Sequence, residues 1–280
     1  MKLKSKNMKR IHIVGDNGSE QAKVIFEVFE PLKKKKLTST WFPTLYGAST
    51  FNKKGDEALR FYGLLEGDEF DNYYSLRGAI AERIVVKALQ SKGYHVQTFK
   101  DNFDAFLYTK EGDNVLYKYF GGLPDIVYET QDGKRFLIEV KSKDLEKKQY
   151  VEKNPPETEI MQGKMLAFLY GLDSVRMTYV LFSDDAIRKM YLSLPSPFNL
   201  ENALKDFDSK MPTLTLNKDY EIIVKDYHIS KPELLEQMKT AYKYADGFRQ
   251  TLTLLASDIS KDVFSQIFET EKKLEEDFKQ

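Results

Sequence analysis

The sequence predicts a mixed α/β fold in which a β-sheet is flanked by helices. Apolar residues recur at helical spacing over residues 75–91, and strand-like runs follow this segment at 94–99, 105–108 and 115–120. A second helical segment, residues 157–170, lies between a strand-like run that ends near Lys143 and another at residues 175–182. A strand, a helix and a strand in this order favour a parallel crossover on one sheet.

The chain of 280 residues is long enough for one large domain, or for a core domain with appended helices. We expect an N-terminal extension at 1–73 packed on the core, a core domain at 74–183, and a mainly helical C-terminal region at 184–280. Residues 10–29 contain two strand-like runs around an Asn-Gly pair, which predicts a hairpin. The last fifty residues predict helices broken near Gly247 and Asp258.

Composition excludes several classes of site. The chain has no cysteine, so disulfides, zinc–thiolate sites and cysteine-ligated iron–sulfur clusters are excluded. The 43 Lys and Arg residues balance 43 Asp and Glu residues, so a nucleic-acid partner would have to be met by a local basic surface. There is no run of about 18 apolar residues and no signal-peptide pattern, so we expect a cytoplasmic protein without a membrane partner.

Two carboxylates and a lysine lie on two strand-like runs joined by a turn, in otherwise apolar sequence. The first run opens with Pro124-Asp125, and the second carries Glu139, Val140 and Lys141. Buried carboxylates are costly unless something compensates them, and a divalent cation can do so. Asp125, Glu139 and the Val140 carbonyl are candidate metal ligands, while Lys141 would orient or activate a water. The pattern predicts a metal-dependent nuclease.

The turn between these runs decides whether the two carboxylates meet. A two-residue turn at 132–133 would put Asp125 and Glu139 on opposite faces of the sheet. A three-residue loop at 131–133, with its glycine in the left-handed conformation, shifts the register by one residue and puts them directly opposite each other. We predict the three-residue loop, or an equivalent bulge.

Each predicted helix carries a polar residue on its apolar arc. Glu82 lies among apolar positions of the first helix, and it is either a third metal ligand or an edge residue that pairs with an arginine. Gln162 lies between Leu166 and Leu169 on the second helix. It is either part of the catalytic site or bonded to backbone carbonyls at the sheet edge.

Several basic and aromatic residues are candidates for contact with nucleic acid. The densest basic run comprises Lys33, Lys34, Lys35 and Lys36. It is either a solvated loop or a loop that contacts the DNA backbone through salt-sensitive counterion release. The aromatic segment that begins at Trp41 either packs in the core or stacks on bases. Arg77 and Lys143 are further candidate DNA-binding residues.

The hairpin resembles a known nuclease signature. Pro124-Asp125 and, fourteen positions after the aspartate, Glu139-Val140-Lys141 resemble the PD-(D/E)xK motif. Within that superfamily, Arg77-Gly78 followed by Glu82 resembles the helix that precedes the core in lambda-exonuclease-like members. The resemblance covers about residues 76–182.

Gln162 resembles the helical glutamine motif of the same nucleases. The family form QxxxY is not met, because position 166 is leucine and the nearest tyrosine is Tyr170. The absence of cysteine argues against the iron–sulfur branch of the superfamily.

The resemblance implies a restriction-endonuclease-like core and DNA cleavage that depends on one or two Mg²⁺ or Mn²⁺ ions. Asp125, Glu139, Lys141, Glu82 and Gln162 would be its catalytic residues. A processive exonuclease of the phage recombination type is the most similar relative, which implies a role in DNA recombination or repair in a bacterial or phage-infected cell. DNA is the expected partner, with a second copy of the chain and a single-strand annealing or other recombination protein as further candidates.

Three alternatives stay open from the sequence. The same core could carry a structure-specific or restriction-type endonuclease. It could also be a non-catalytic DNA-binding protein. Finally, the hairpin could be purely structural, with its acids paired to Lys134, Arg135 or Lys143.

Overall fold

The computed structural model describes residues 10–13, 24–27, 33–49, 54–63, 72–99, 115–192, 198–210, 214–256, 276 and 278. The described helices are α1 (Phe42–Tyr46), α2 (Lys54–Phe61), α3 (Asn72–Gln90), α4 (Lys148–Lys153), α5 (Glu157–Leu169), α6 (Asp184–Leu192), α7 (Leu200–Lys210) and α8 (Lys231–Ala256). The described strands are β1 (Arg10–Ile13), β2 (Val24–Glu27), β3 (Leu37–Thr38), β4 (His95–Thr98), β5 (Phe120–Gly121), β6 (Ile126–Glu129), β7 (Arg135–Asp144), β8 (Ser174–Phe182) and β9 (Tyr220–His228).

Five of the described strands form a mixed sheet in the order β4-β6-β7-β8-β9. The pairs β4–β6, β6–β7 and β8–β9 are antiparallel, whereas β7 and β8 run parallel. A parallel pair needs a long connection, and here it contains α4 and α5. The predicted mixed sheet with flanking helices and a parallel crossover is therefore confirmed.

Different helices cover the two faces of this sheet, because side chains alternate along each strand. On one face, Ile138 and Val140 of β7 pack with Leu76 and Ile80 of α3 in the hydrophobic core. The opposite face, which carries Glu139, lies against α5. The strand at the centre of the sheet therefore presents apolar residues to α3 and a row of charged residues to α5.

The chain divides into two compact units. The first comprises Met1–Gly67, Gly112–Gly121 and Pro232–Gln280, and the second comprises Asp68–Glu111 and Gly122–Lys231. The second unit holds the five-stranded sheet with α3 to α7. The domains expected from the sequence are three continuous segments, whereas each of these units combines separate segments of the chain. The expected domain limits stay predictions.

The first unit contains the predicted N-terminal hairpin strands, because β1 and β2 pair antiparallel. Phe42 and Leu45 of α1 are fully buried, and Trp41 meets Phe61 edge to face. In these residues the aromatic segment packs in the core. The turn expected at 16–19, the strand at 105–108 and the helix break at Asp258 lie outside the described residues.

Two expectations about local structure are wrong. A strand was expected at 115–120, but Val115–Lys118 forms a 3₁₀ turn and only β5 follows it, paired in parallel with β3. A helix break was expected near Gly247, but α8 continues through it. A glycine costs a helix about 1 kcal/mol relative to alanine. The buried residues Ala241, Tyr242 and Ala245 of α8 show the packing that holds the helix together there.

In the part of the chain that the structure describes, no helix is both long and apolar enough to cross a membrane.

Gly163 allows α5 to approach the sheet closely. A Cβ atom placed on Gly163 would lie 2.7 Å from Met177 Sδ and 3.0 Å from Val175 Cγ2, and Met177 is fully buried. Gly163→Ala is therefore expected to lower the free energy of unfolding by about 1–3 kcal/mol through overpacking. Denaturant unfolding measures this change.

Gly78 in α3 provides the matched control. Nothing lies within 4 Å of a Cβ built at this helical glycine. Gly78→Ala should therefore raise the free energy of unfolding by up to about 1 kcal/mol through helix propensity alone. Equal effects of the two substitutions would contradict the close approach of α5 to the sheet.

Candidate active site

The loop between β6 and β7 has the predicted three-residue form. The Thr130 N–H donates to the Lys134 carbonyl at 3.0 Å, and the Gly133 N–H donates to the Thr130 carbonyl at 2.9 Å. Gly133 has φ of +78°, the left-handed region that favours glycine. Residues 131–133 therefore form the loop between the paired Thr130 and Lys134.

This loop sets the register of the hairpin. Ile126 pairs with Ile138, so one further step along the two strands puts Asp125 opposite Glu139. Residues directly opposite each other in an antiparallel pair share a face. The predicted register is thus confirmed, and with it the condition on which the site depended.

Asp125 is tied directly to the second strand. Its Oδ2 atom accepts a hydrogen bond of 2.8 Å from the backbone N–H of Val140. This bond fixes a half-buried carboxylate at the start of β6 beside the strand that carries Glu139. The role of the Val140 carbonyl as a metal ligand stays a prediction.

Lys141 joins the acid of the strand to the amide of α5. Its Nζ donates to Glu139 Oε1 at 2.8 Å and to Gln162 Oε1 at 3.0 Å. Both bonds involve the charged ammonium group, which makes them stronger than neutral hydrogen bonds. The structure therefore brings Asp125, Glu139, Lys141 and Gln162 together from two strands and one helix.

Burial and like charge act together on Glu139, whose residue is only 2% exposed. Burial raises the pKa of Glu139 well above its ordinary value, and the neighbouring Asp125 raises it further, while Lys141 lowers it. Burial lowers the pKa of Lys141, but the charges of Glu139 and Asp125 outweigh it and hold that pKa above its ordinary value. Two acids thus repel each other across the hairpin, and Lys141 is the adjacent cation.

Only one of the two carboxylate oxygens of Glu139, Oε1, accepts the hydrogen bond from Lys141. Oε2 is buried and accepts no hydrogen bond from the residues that the structure describes. A buried carboxylate oxygen without a donor is costly, and a divalent cation with oxygen ligands would relieve that cost. The donor set of Asp125 and Glu139 therefore fits Mg²⁺ or Mn²⁺, which prefer carboxylate oxygens and keep several waters.

Glu82 of α3 has a smaller electrostatic influence on Glu139 than Asp125 has. It is half-buried on α3, and among the charges that raise the pKa of Glu139 its influence is the weakest. Within the described residues, no group of three or more histidine, aspartate or glutamate side chains is disposed to hold a metal ion. Glu82 as a third ligand stays a prediction.

Arg77 is buried inside the second unit. Its guanidinium forms an ion pair with Asp144 at the end of β7 and lies over the rings of Tyr73 and Tyr74. These contacts join α3 to the end of the strand that carries the site. A direct contact of Arg77 with DNA stays a prediction.

The lysine run belongs to the first unit. Lys33 and Lys34 are exposed, and Lys36 is half-buried. Lys35 donates to the Phe61 carbonyl at 3.0 Å, and burial lowers its pKa. A contact between this run and nucleic acid stays a prediction.

Sequence reasoning missed two residues of the site. Glu159 of α5 forms an ion pair with Lys143, and Gly163 lets α5 come within contact of Glu139. Helical spacing could have placed Glu159 on the same face of α5 as Gln162, three residues later, and Gly163, four residues later, but it could not have identified Lys143 as the partner of Glu159. Residues three apart on a helix share a face.

Comparison with solved structures finds exonucleases of similar structure and low sequence identity. The structure is similar to that of a phage-related exonuclease from Haemophilus somnus 129PT, with a TM-score of 0.48, 16% identity, and coverage of 81% of this chain and 98% of that one. It is also similar to an alkaline exonuclease from Laribacter hongkongensis, LHK-Exo, with a TM-score of 0.43, 14% identity, and coverage of 78% and 89%. The complex of LHK-Exo with dAMP matches with the same TM-score and coverage at 15% identity. No protein-family model and no curated protein sequence matches the chain.

Repulsion between the paired acids predicts a gain in stability when one charge is removed. Asp125→Asn keeps an oxygen that can accept from Val140 but removes the charge that faces Glu139. Without divalent cations, the melting temperature should rise by about 2–4 °C, the shift expected for roughly 1 kcal/mol in a domain of this kind. Thermal denaturation in a chelating buffer measures it.

Asp132→Asn is the control, because Asp132 lies in the same hairpin on the exposed loop and bonds to Thr130. It should not raise the melting temperature. Added Mg²⁺ should stabilise the parent more than Asp125→Asn, since a ligand that binds the folded state stabilises it. An Asp125→Asn variant that is destabilised and responds to Mg²⁺ like the parent would contradict the assignment of Asp125 as a metal ligand.

Proposed function

We propose that this chain is a metal-dependent deoxyribonuclease that hydrolyses phosphodiester bonds, and that it acts as an exonuclease on the ends of double-stranded DNA. The observation that carries the proposal is the convergence of Asp125, Glu139 and Lys141 on one face of the β6–β7 hairpin. Their arrangement leaves one buried oxygen of Glu139 without a donor. Structural acids would be expected to have their hydrogen-bonding capacity satisfied.

The protein groups divide the work of the reaction. Asp125 and Glu139 would hold Mg²⁺ or Mn²⁺, with Glu82 and the Val140 carbonyl as further candidate ligands. When bound, such an ion supplies Lewis acidity and lowers the pKa of a coordinated water. Lys141 stands beside both acids and remains protonated, so it would orient the attacking water and stabilise negative charge that develops on the phosphate.

Gln162 has a supporting part in this scheme. Its side-chain oxygen accepts a hydrogen bond from the Lys141 ammonium, which restricts where that ammonium can go. A lysine has several rotatable bonds, so a second fixed partner lowers the entropy lost when it meets the transition state. Gln162 therefore acts on the reaction through Lys141.

The purely structural alternative is disfavoured by where the other cations lie. Lys134 pairs with Asp132 in the exposed loop, and Arg135 pairs with Glu129. Lys143 pairs with Glu159. None of these three ion pairs involves Asp125 or Glu139, so Lys134, Arg135 and Lys143 are paired with other acids.

Cleavage assays test the proposal directly. With Mg²⁺ or Mn²⁺, the parent should degrade linear duplex DNA, while Lys141→Ala and Asp125→Asn should lose roughly 10²- to 10⁴-fold in rate. Release of acid-soluble nucleotides and circular dichroism measure activity and folding. Lys134→Ala and Asp132→Asn, on the same hairpin but in its exposed loop, should keep the parent rate. Full activity in Asp125→Asn would refute the ligand role.

The exonuclease assignment rests on the sequence resemblance of Arg77-Gly78, Glu82 and Gln162 to lambda-exonuclease-like helices. An enzyme that requires a DNA end should degrade linear duplex DNA and leave covalently closed circles intact. Electrophoresis of linear, nicked and closed circular forms of one plasmid gives the answer. Linearisation of the closed circle would contradict the exonuclease assignment and indicate an endonuclease on the same core.

A further inference from the structure

A second lysine–acid pair lies beside the one that the proposed reaction uses. Lys143 follows Lys141 by two residues on β7, so both side chains project from the same face of the strand. Lys143 forms an ion pair with Glu159 of α5. Glu159 precedes Gln162, the partner of Lys141, by nearly one helical turn. Two lysines of β7 are thus matched to two polar residues of α5.

The exposure of this pair sets it apart from the buried acid of the site. The Lys143 side chain is 26% exposed and that of Glu159 is 17% exposed, close to the 20% of Lys141, whereas the Glu139 side chain is 3% exposed. A ligand in solvent can therefore reach the Lys143 ammonium. The ion pair is accessible enough to be exchanged for another anion.

The spacing of the two lysines fits a polyanionic strand. Alternate residues of a β-strand lie about 6.7 Å apart on one face. This separation is close to that of neighbouring phosphates along an extended nucleic-acid backbone. If Lys141 faces the phosphate that is cleaved and the DNA strand runs along β7, Lys143 faces the next phosphate of the same strand.

We propose that Lys143 binds a DNA phosphate adjacent to the cleaved one, and that Glu159 limits the strength of this contact by competing for the same ammonium group. The inference rests on the proposed nuclease function and names two residues to which that function assigns no part in the reaction. DNA must displace Glu159 from Lys143, and the carboxylate then returns when the strand leaves. Lys143 is a substrate-binding residue, and Glu159 sets how strongly it binds.

The competition follows from charge. In the free protein, Glu159 neutralises Lys143 at close range, and opposite charges at such a distance attract strongly where solvent is partly excluded. A phosphate that takes the ammonium leaves Glu159 poorly compensated, because its Oε2 atom is buried and has no hydrogen-bond partner among the described residues. The contact is then weaker than one made by an unpaired lysine, so removal of the Glu159 charge should tighten binding through Lys143.

Binding of end-labelled duplex DNA, measured by fluorescence anisotropy with Ca²⁺ in place of Mg²⁺, tests this exchange without relying on catalysis. Lys143→Gln should weaken binding roughly three- to tenfold. Glu159→Gln should tighten binding by a similar factor and steepen its salt dependence by up to about 0.9 in the slope of log K against log salt, the value for one additional phosphate contact. Electrophoresis verifies that the DNA stays intact.

The double variant separates a specific exchange from a general change of charge. When Lys143 is glutamine, Glu159→Gln should no longer tighten binding. If it tightens binding equally in both backgrounds, Glu159 acts only through its long-range charge and the proposal is overturned. Unchanged binding in Lys143→Gln would overturn it as well.

The ion pair of Lys231 with Asp173 is the matched control, because it lies at the opposite end of β8 from Leu181, the residue beside Lys143. Lys231→Gln and Asp173→Asn should leave binding unchanged. Circular dichroism confirms that each variant is folded. Failure of the parent to bind or cleave DNA would refute the proposed function itself, whereas a parent that cleaves DNA with an unaffected Lys143→Gln variant would refute only this inference.

Discussion

The site depends on a single step of register in the β6–β7 hairpin. Because side chains alternate along a strand, one residue more or fewer in the loop at 131–133 would move Asp125 to the face opposite Glu139. The left-handed Gly133 makes the three-residue loop possible. The chain thereby holds two carboxylates against each other inside the protein, which opposes folding and favours cation binding. A local turn therefore determines whether Asp125 and Glu139 lie on the same face of the sheet.

The close packing of α5 then determines how deeply Glu139 is buried and which group of the helix meets Lys141. Gly163 lets the helix lie against β7 and β8, which buries Glu139 and brings Gln162 within hydrogen-bonding distance of Lys141. The same approach raises the electrostatic cost of Glu139, because less water is left to solvate its charge. Burial of the acid and positioning of the lysine are thus two consequences of one contact between a helix and a sheet.

The parts of this arrangement that follow from local pattern could be predicted from the sequence. The helical periodicity of α3 and α5 and the turn chemistry at Gly133 are properties of short segments. They predicted the helix that carries Gln162 and the register of Asp125, whereas the part of Glu82 in the site stays a prediction. Partners that depend on the separation of two elements could not be predicted this way. The ion pair of Glu159 with Lys143 requires knowing how α5 lies over β7, and no spacing in the chain contains that information.

The two wrong expectations, at Val115–Lys118 and Gly247, both concern buried segments, in which Leu116 is 5% exposed and Ala245 is 2% exposed. Packing with distant residues can override the preference of a short segment.

Two lysines on one strand face can have different functions only if they have different partners. Lys141 is held by Glu139 and Gln162, whereas Lys143 pairs with Glu159, and the two lysine side chains are exposed to a similar extent. A lysine bound by two groups has few positions available, which suits a group that must meet a reacting phosphate. A lysine in a single, partly exposed ion pair can change partners at low cost. The difference in partners therefore favours catalysis by Lys141 and reversible binding of the DNA strand by Lys143.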